Sequence, residues 1–349
     1  MYVLLLILSF AMVLLVFGSL IKDSYWLFKA LEFPRLQKLF IIAVLLAGWG
    51  AYWYFNGEVN YWAAGGLLLS AAYLIYKILP YTPLNKKEVK AAPPHAGADE
   101  IKVLTANVFQ DNRNYGKMLQ QIRTYDPDVI LLLETDQGWA DAVQELDADY
   151  PHALKHPIDN TYGLLFYSRF PIRNGKVRFC VNDDIPCVDA ELELPSGRTV
   201  KVWGLHPEPP APQESITTKD QDKELMKVAF EARDCKKPAL VFGDLNDVAW
   251  SHTTILFKKV SRLLDPRRGR GFYNSFSANH WFLRFPLDYL FCSSHFGLVS
   301  MKRLGHNGSD HFPMFIHLAL APEVNNERQL HADGEDLAEA KEMAEQPST

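Results

Sequence analysis

Residues 241–247 read VFGDLND. An apolar run of strand type stops at a glycine and passes at once into carboxylates and an amide. Taken alone, this is equally an Asx turn or a helix cap. The same transition recurs along the chain, and the recurrence carries the reading. Asn107 follows KVLTA, Glu134 follows VILLL, and His206 follows VWGL. Asp244 and Asn246 follow LVFG, Asp288 opens DYLF, and Asp310 with His311 precedes FPMF. Loops that leave one edge of a sheet system bring such groups together.

The runs are short and rich in β-formers: Ile101–Thr105, Val129–Leu133, Leu164–Tyr167, Val200–Trp203, Ala239–Phe242, Leu287–Phe291 and Met314–Leu318. Helical spacing falls between some of them. Asn114–Tyr125 puts Met118, Leu119 and Ile122 on one face, and Gln137–Leu146 and Lys219–Ala232 repeat the pattern. Strands mixed with helices predict an α/β (α+β) layered domain, and the hairpin-like stretch Arg178–Trp203 adds antiparallel pairing. Residues 98–322 are enough for one sizeable core.

Carboxylates, amides and imidazoles without thiolates suit a hard divalent ion, Mg²⁺ or Mn²⁺, rather than structural zinc. His and Asp beside such an ion suit hydrolysis of a phosphate ester. One group activates water, while cationic groups offset charge on the phosphoryl oxygens and leaving group.

The ordered set TANVF, LLLETD, YGLLFYSRFP, GLHPEPP, VFGDLND, FPLDYLF and GSDHFP resembles the endonuclease/exonuclease/phosphatase superfamily, the deoxyribonuclease-I-like fold, over roughly Ile101–Leu320. The resemblance implies a four-layer sandwich of two mixed β-sheets with helices outside. It also implies roles. Glu134 is similar to the principal metal-ligating glutamate, with Asn107 beside it and Asp310 as a further metal or water ligand. Asp244 is similar to the carboxylate that orients or deprotonates the attacking water, and Asn246 to its phosphate-contacting neighbour. His311 resembles the histidine that stabilises the phosphoryl oxygens or leaving group, and Asp288 the carboxylate that fixes its tautomer. His206 resembles a second histidine, a general acid in the deoxyribonuclease and phospholipase-like branches. The loop after His206 continues as PEPPAPQ, which is not typical of the DNA-repair branch.

The first eighty residues have a different character. Met1–Ile21, Leu39–Gly57 and Val59–Tyr76 contain no charged residue. A spanning helix needs about 20 apolar residues, so residues 1–80 read as an anchor of three transmembrane helices, about 1–21, 39–57 and 59–77. The second and third form a tight hairpin turning at Gly57–Val59. A cleaved signal peptide is the alternative for the first, but no Lys or Arg precedes its apolar run. Lys22, Lys29, Arg35 and Lys38 lie between the first two spans and Lys77, Lys86, Lys87 and Lys90 follow the third, which predicts a cytoplasmic catalytic domain in a multi-pass membrane protein. Reduced thiols follow for Cys180, Cys187, Cys235 and Cys292, with a Cys180–Cys187 disulfide if the orientation is reversed. Residues 81–100 read as a Pro-containing linker, 101–321 as the catalytic domain and 322–349 as an acidic disordered tail.

The chain has 36 Lys+Arg against 41 Asp+Glu, which argues against a protein whose main task is to coat nucleic acid. A local basic run, Lys258, Lys259, Arg262, Arg267, Arg268 and Arg270, reads either as a solvated helix face followed by a basic turn or as a phosphate-binding patch. The leading expectation is a membrane-anchored, metal-dependent phosphodiesterase or phosphatase. A nuclease of the same chemistry and a non-catalytic membrane scaffold are the alternatives. The expected partners are a phosphoester, lipid headgroup or nucleic acid, and the bilayer. No obligate protein partner is evident.

Overall fold

The computed structural model describes residues 1–92, 99–321, 326 and 330–348. The chain opens with helices α1 (Tyr2–Phe17), α2 (Trp26–Ala30), α3 (Arg35–Asn56) and α4 (Tyr61–Ile78). Three of them are long and apolar enough to cross a membrane, over Tyr2–Leu20, Arg35–Asn56 and Tyr61–Tyr81. Gly57 closes α3 in the left-handed conformation (φ 72°), and the Asn60 side chain caps α4 by accepting from the Ala63 N–H. Helix α3 begins earlier than its uncharged run predicts. Arg35 and Lys38 are accommodated because each finds a buried partner: Arg35 pairs with Glu32 at 3.1 Å, and Lys38 Nζ donates to the Leu15 and Leu31 carbonyls.

The second part of the chain runs β1 (Glu100–Asn107), α5 (Tyr115–Tyr125), β2 (Val129–Leu133), α6 (Gln137–Ala142), β3 (His152–His156), β4 (Leu164–Ser168), β5 (Ile172–Phe179), β6 (Pro186–Glu193) and β7 (Thr199–Leu205). It continues with α7 (Lys219–Asp234), β8 (Ala239–Asp244), α8 (His252–Ser261), β9 (Asp288–Cys292), β10 (Phe296–Arg303), β11 (Met314–Leu320) and α9 (Gly334–Glu345). The strands form two mixed sheets, ordered β10-β11-β1-β2-β4-β3 and β5-β6-β7-β8-β9. Alternation decides the layering. On β2, Val129, Leu131 and Leu133 join Phe166, Val202 and Phe242 between the sheets, while Ile130 and Leu132 pack outward on Met118 and Trp139 of α5 and α6. On β8, Leu240 and Phe242 face the inter-sheet core, while Val241 meets Leu225 and Phe257 of α7 and α8. Strands covered on both faces are uniformly apolar, as these are. The four-layer sandwich expected from the resemblance is present.

Three sequence expectations need correction. Residues 81–92 of the expected linker are docked onto the domain. Ala92 N–H donates to the Leu298 carbonyl and Leu298 N–H to Lys90, so the segment covers the edge strand β10. Residues 93–98 lie outside the described residues. The expected disordered tail contains α9, whose Leu337, Ala340, Met343 and Ala344 pack with the α7–α8 core. Asp333 and Asp336 form a capping box at its start. Acidic composition hid a one-sided apolar face. Residues 322–325, 327–329 and 349 of that tail lie outside the described residues.

The basic run is neither a solvated face nor a phosphate patch as a whole. Lys258 is fully buried on Glu88 at 2.6 Å, Arg267 is buried on Asp265 at 2.9 Å, and Arg268 reaches Glu88. Lys259 pairs with Asp336 of α9, and Arg270 donates to the Val89 carbonyl. Glu88, Val89 and Asp336 lie in segments distant in sequence, while Asp265 is two residues from Arg267. The four cysteines are free thiols, with Cys180 and Cys187 facing each other at 2.7 Å.

Candidate active site

Strand register assembles the polar residues. β1 and β2 are parallel with Asn107 opposite Leu133, so Glu134 emerges beside the end of β1. β7 and β8 are parallel with Leu205 opposite Gly243, so His206 and Asp244 leave adjacent strand ends. β8 and β9 are antiparallel with Asp244 opposite Asp288. Both central parallel pairs thus release their carboxyl ends toward one edge of the sandwich, where crevices form. Gly243 is required there: its φ is 135°, and a Cβ would lie 2.0 Å from the Leu205 carbonyl oxygen. Gly243→Ala is therefore expected to destabilise the domain by about 3 kcal/mol or more, read as a fall in its thermal unfolding midpoint. An unchanged midpoint would contradict the packing described.

Asn107 is the hub. Its Nδ2 donates to Glu134 Oε1 at 2.6 Å and to Asp244 Oδ2 at 3.1 Å, and its Oδ1 accepts from the Phe109 N–H. Glu134 also accepts from the Gln110 N–H at 3.3 Å. Its backbone is left-handed (φ 58°), a conformation that costs a non-glycine residue about 1–3 kcal/mol and persists where surroundings over-determine it. Burial pushes its carboxyl up to about 7, against the Asn107 hydrogen bond that lowers it, with Asp310 and Asp244 adding negative potential.

A second chain of contacts runs through His311. Its Nδ1 meets Asp288 Oδ2 at 2.9 Å, and its Nε2 lies 3.5 Å from Asp244 Oδ2. Burial would lower its pKa, but Asp244 and Asp288 outweigh this and raise it to about 10. The ring is therefore an imidazolium at neutral pH. These three side chains lie within 4.8 Å of one another. Both imidazole nitrogens are turned to carboxylates, Nδ1 to Asp288 and Nε2 to Asp244. His206 Nε2 is 4.0 Å from Asp244 Oδ2, and burial lowers its pKa to about 4. It is neutral, so this approach is not an ion pair. Asp244 is fully buried and its carboxyl is raised by desolvation.

Asn246 contributes differently from the others. Its N–H donates to Asp244 Oδ1 at 2.9 Å, while its side chain donates to the Pro207 carbonyl and ties the two loops together. Residues without a sequence-assigned role also shape the site. Ser309 Oγ donates to the Asn107 carbonyl at 2.8 Å and accepts from His311 N–H at 3.0 Å. Ser275 Oγ accepts from the Leu287 and Asp288 N–H groups. Phe276 lies 4.9 Å from the His311 ring and Tyr162 5.4 Å from the His206 ring. Ser309 sits inside GSDHFP and was legible as a motif position; nothing local in the sequence signals Ser275 or Phe276. A cavity of about 470 Å³ lies elsewhere, walled by the ion-paired Lys29, Glu32 and Asp222, at the junction between the N-terminal helices and the sheet domain.

The donor set fits a hard divalent cation. Glu134, Asp244 and Asp310 bring carboxylates to one region beside His311, while Asn107 faces Glu134 and Asp244 with its Nδ2 and keeps its Oδ1 on the Phe109 N–H.

A family model described as the Endonuclease/Exonuclease/phosphatase family matches residues 104–311, which span Asn107, Glu134, His206, Asp244, Asn246, Asp288, Asp310 and His311. Among solved structures, an endonuclease/exonuclease/phosphatase from Beutenbergia cavernae DSM 12333 is similar at TM-score 0.52 and 19% identity, covering 64% of this chain and 72% of that one. The human Nocturnin catalytic domain with bound sulfate anion is similar at TM-score 0.50 and 18% identity, covering 63% and 94%. At these identities the likeness is one of fold. No curated protein matches the chain.

Proposed function

Since the chain belongs to the endonuclease/exonuclease/phosphatase family, we propose that it is a membrane-anchored, divalent-metal-dependent hydrolase of phosphoester bonds, a phosphodiesterase or phosphatase. The observation that carries this is the continuity of two chains, Glu134–Asn107–Asp244 and Asp244–His311–Asp288, within hydrogen-bond reach of one another.

Glu134, with Asn107 and Asp310, would hold Mg²⁺ or Mn²⁺, which offsets charge on the phosphoryl oxygens when bound. Asp244, desolvated and so more basic than an ordinary aspartate, orients the attacking water and accepts its proton. The His311 imidazolium donates to a phosphoryl or leaving oxygen. Asp288 fixes that ring by holding Nδ1–H. His206, neutral and buried, borders the water side of Asp244, and Asn246 holds the His206 loop against it. The catalytic unit extends beyond 101–321, because residues 22–38, 79–92 and α9 pack into it. The basic residues flanking the spans, among them Lys22, Lys86, Lys87 and Lys90, support a cytoplasmic catalytic domain.

A nuclease would use the same chemistry, but most of the basic run that favoured it is turned inward on Glu88, Asp265 and Asp336. A non-catalytic scaffold has no support from a missing site residue.

The test is hydrolysis of bis(p-nitrophenyl) phosphate and p-nitrophenyl phosphate by the full chain in detergent. Turnover is expected to vanish with excess chelator and to return with Mg²⁺ or Mn²⁺. Sustained turnover in chelator would remove the metal-dependent reading.

A further inference from the structure

We infer that the mouth of the active site opens onto the bilayer surface, so that the enzyme takes a membrane-resident phosphoester amphiphile rather than a freely soluble ester. The substrate half of this inference rests on the hydrolase reading above; the orientation does not.

Two loops border the site, and both are fastened to the segment between the first two spans or to the first turn of the second. One is the stretch from Phe276 to Phe285. At its start Phe276 lies against His311, and Ala278 N–H donates to the Asp310 carbonyl at 2.6 Å. At its far end Phe285 packs edge-on against Phe33 at 5.5 Å, and the Phe282 carbonyl accepts from Gln37 Nε2 at 2.7 Å. Gln37 is in the first turn of α3. Lipid-type side chains begin about one turn later, at Phe40, Ile41 and Val44, all exposed. The tip of this loop, Trp281, Phe282 and Leu283, thus stands at the depth where α3 enters its apolar layer. Trp281 is 80% exposed and Phe282 54%.

The other border is the loop that leaves His206. It runs through PEPPAPQ and ends on Ile216, 63% exposed. The Ile216 carbonyl accepts from the Trp26 N–H at 3.0 Å, and Thr218 N–H donates to Ser24 at 2.7 Å. Tyr25 and Leu27, beside these anchor points, are exposed as well.

Two lips of one site, far apart in sequence, carry exposed large apolar side chains and are tied to the inter-span segment and the start of α3. Clustered exposure of this kind marks a surface with a partner. Continuity with a spanning helix identifies the partner as the bilayer interface, where aromatic side chains are favoured. Behind the aromatic tip, Arg284 and Arg303 lie over the Phe312 ring, at 5.1 and 4.2 Å, next to His311. They add positive charge to the loop that carries the aromatic tip, of the sign an anionic headgroup would meet.

The experiment uses the unmodified full chain in vesicles of phosphatidylethanolamine and phosphatidylglycerol. A small fraction of a phospholipid carries a diazirine near its glycerol backbone. After illumination, adducts are mapped by mass spectrometry. Adducts are expected on Trp281–Leu283 and on Ile216 as well as on the spans, with none on the exposed Lys176 of β5. Adducts confined to the spans would overturn the orientation and assign this surface to a protein partner. In parallel, a vesicle-borne phosphodiester is compared with its water-soluble short-chain counterpart. An advantage of about tenfold or more in kcat/KM is expected for the former, from the effective concentration the bilayer provides. Equal or reversed preference would overturn the substrate assignment. Hydrolysis of neither ester would count against the hydrolase reading itself, and the adduct map would still decide the orientation.

Discussion

His311→Ala is expected to lower kcat by about 10²–10⁴, the range for removing a positioned proton-transfer group, with the fold retained and KM little changed. The size follows from how the ring is held. It is buried, with Asp288 on one nitrogen and Asp244 3.5 Å from the other. Desolvation works against its charge, yet the two carboxylates win and raise its pKa to about 10. A group already protonated at neutral pH can donate to the departing or phosphoryl oxygen but is a poor base, so the loss should fall on the chemical step. The sign for pH is fixed as well. A folded-state value above the ordinary 6.5 means that the imidazolium's contribution to stability is complete below about 6.5 and is lost as pH rises through about 10. Activity that needs the proton should fade on the same alkaline limb. The measurement is kcat against pH for wild type and variant, with circular dichroism as the check on folding. A folded variant that keeps more than about a tenth of wild-type kcat would remove His311 from proton transfer.

The positions of these groups were legible because they follow apolar strands whose pairing fixes their ends. Asn107 beside Glu134, and His206 beside Asp244, each need only one parallel pair in register. Asp244 opposite Asp288 needs one antiparallel pair. Less was legible where a signal is weak or remote. β3 reads HALKH, a short edge strand whose side chains are only partly covered, so it has no continuous apolar run. Ser309 matters through the Asn107 carbonyl, 202 residues away in sequence. Lys258 looked solvated because its partner Glu88 lies in a segment that composition marked as a linker. In α9 the acidic count was real, but the spacing of Leu337, Ala340 and Ala344 puts an apolar face on one side of the helix. Composition weighs residues without their angular position, and that is where the tail was misread.

The N-terminal helical segment is packed into the domain, and Lys29 is the place to test what that packing supplies. Its ammonium lies 3.2 Å from Asp222 Oδ1 and 3.2 Å from Asp247 Oδ2, and it donates to Thr253 Oγ1 at 2.6 Å. All four residues are buried. Burial lowers the lysine's pKa, but Asp222, Asp247 and Glu32 outweigh it and hold the value above the ordinary one. Lys29→Met leaves two carboxylates facing each other without a cation. Breaking one side of a buried ion pair costs about 3–5 kcal/mol, because the remaining charge stays desolvated. The exposed Lys22–Glu339 pair, at a similar 3.1 Å, is worth under about 1 kcal/mol because water screens it. Thermal unfolding of the full chain should therefore separate Lys29→Met sharply from Lys22→Met. Adding Asp247→Asn to the Lys29 variant should recover part of the loss, and strict additivity of the two would show that the ion pair is not the cause. Asp247 lies in the same loop as Asp244 and Asn246, and its carbonyl accepts from the Tyr289 hydroxyl beside Asp288. Loosening it should therefore reduce kcat along with stability. A polypeptide limited to residues 99–321 lacks Lys29 altogether, so it is expected to show the same instability and the same catalytic loss with every site residue present. Wild-type stability in that fragment would reduce the first eighty residues to a tether.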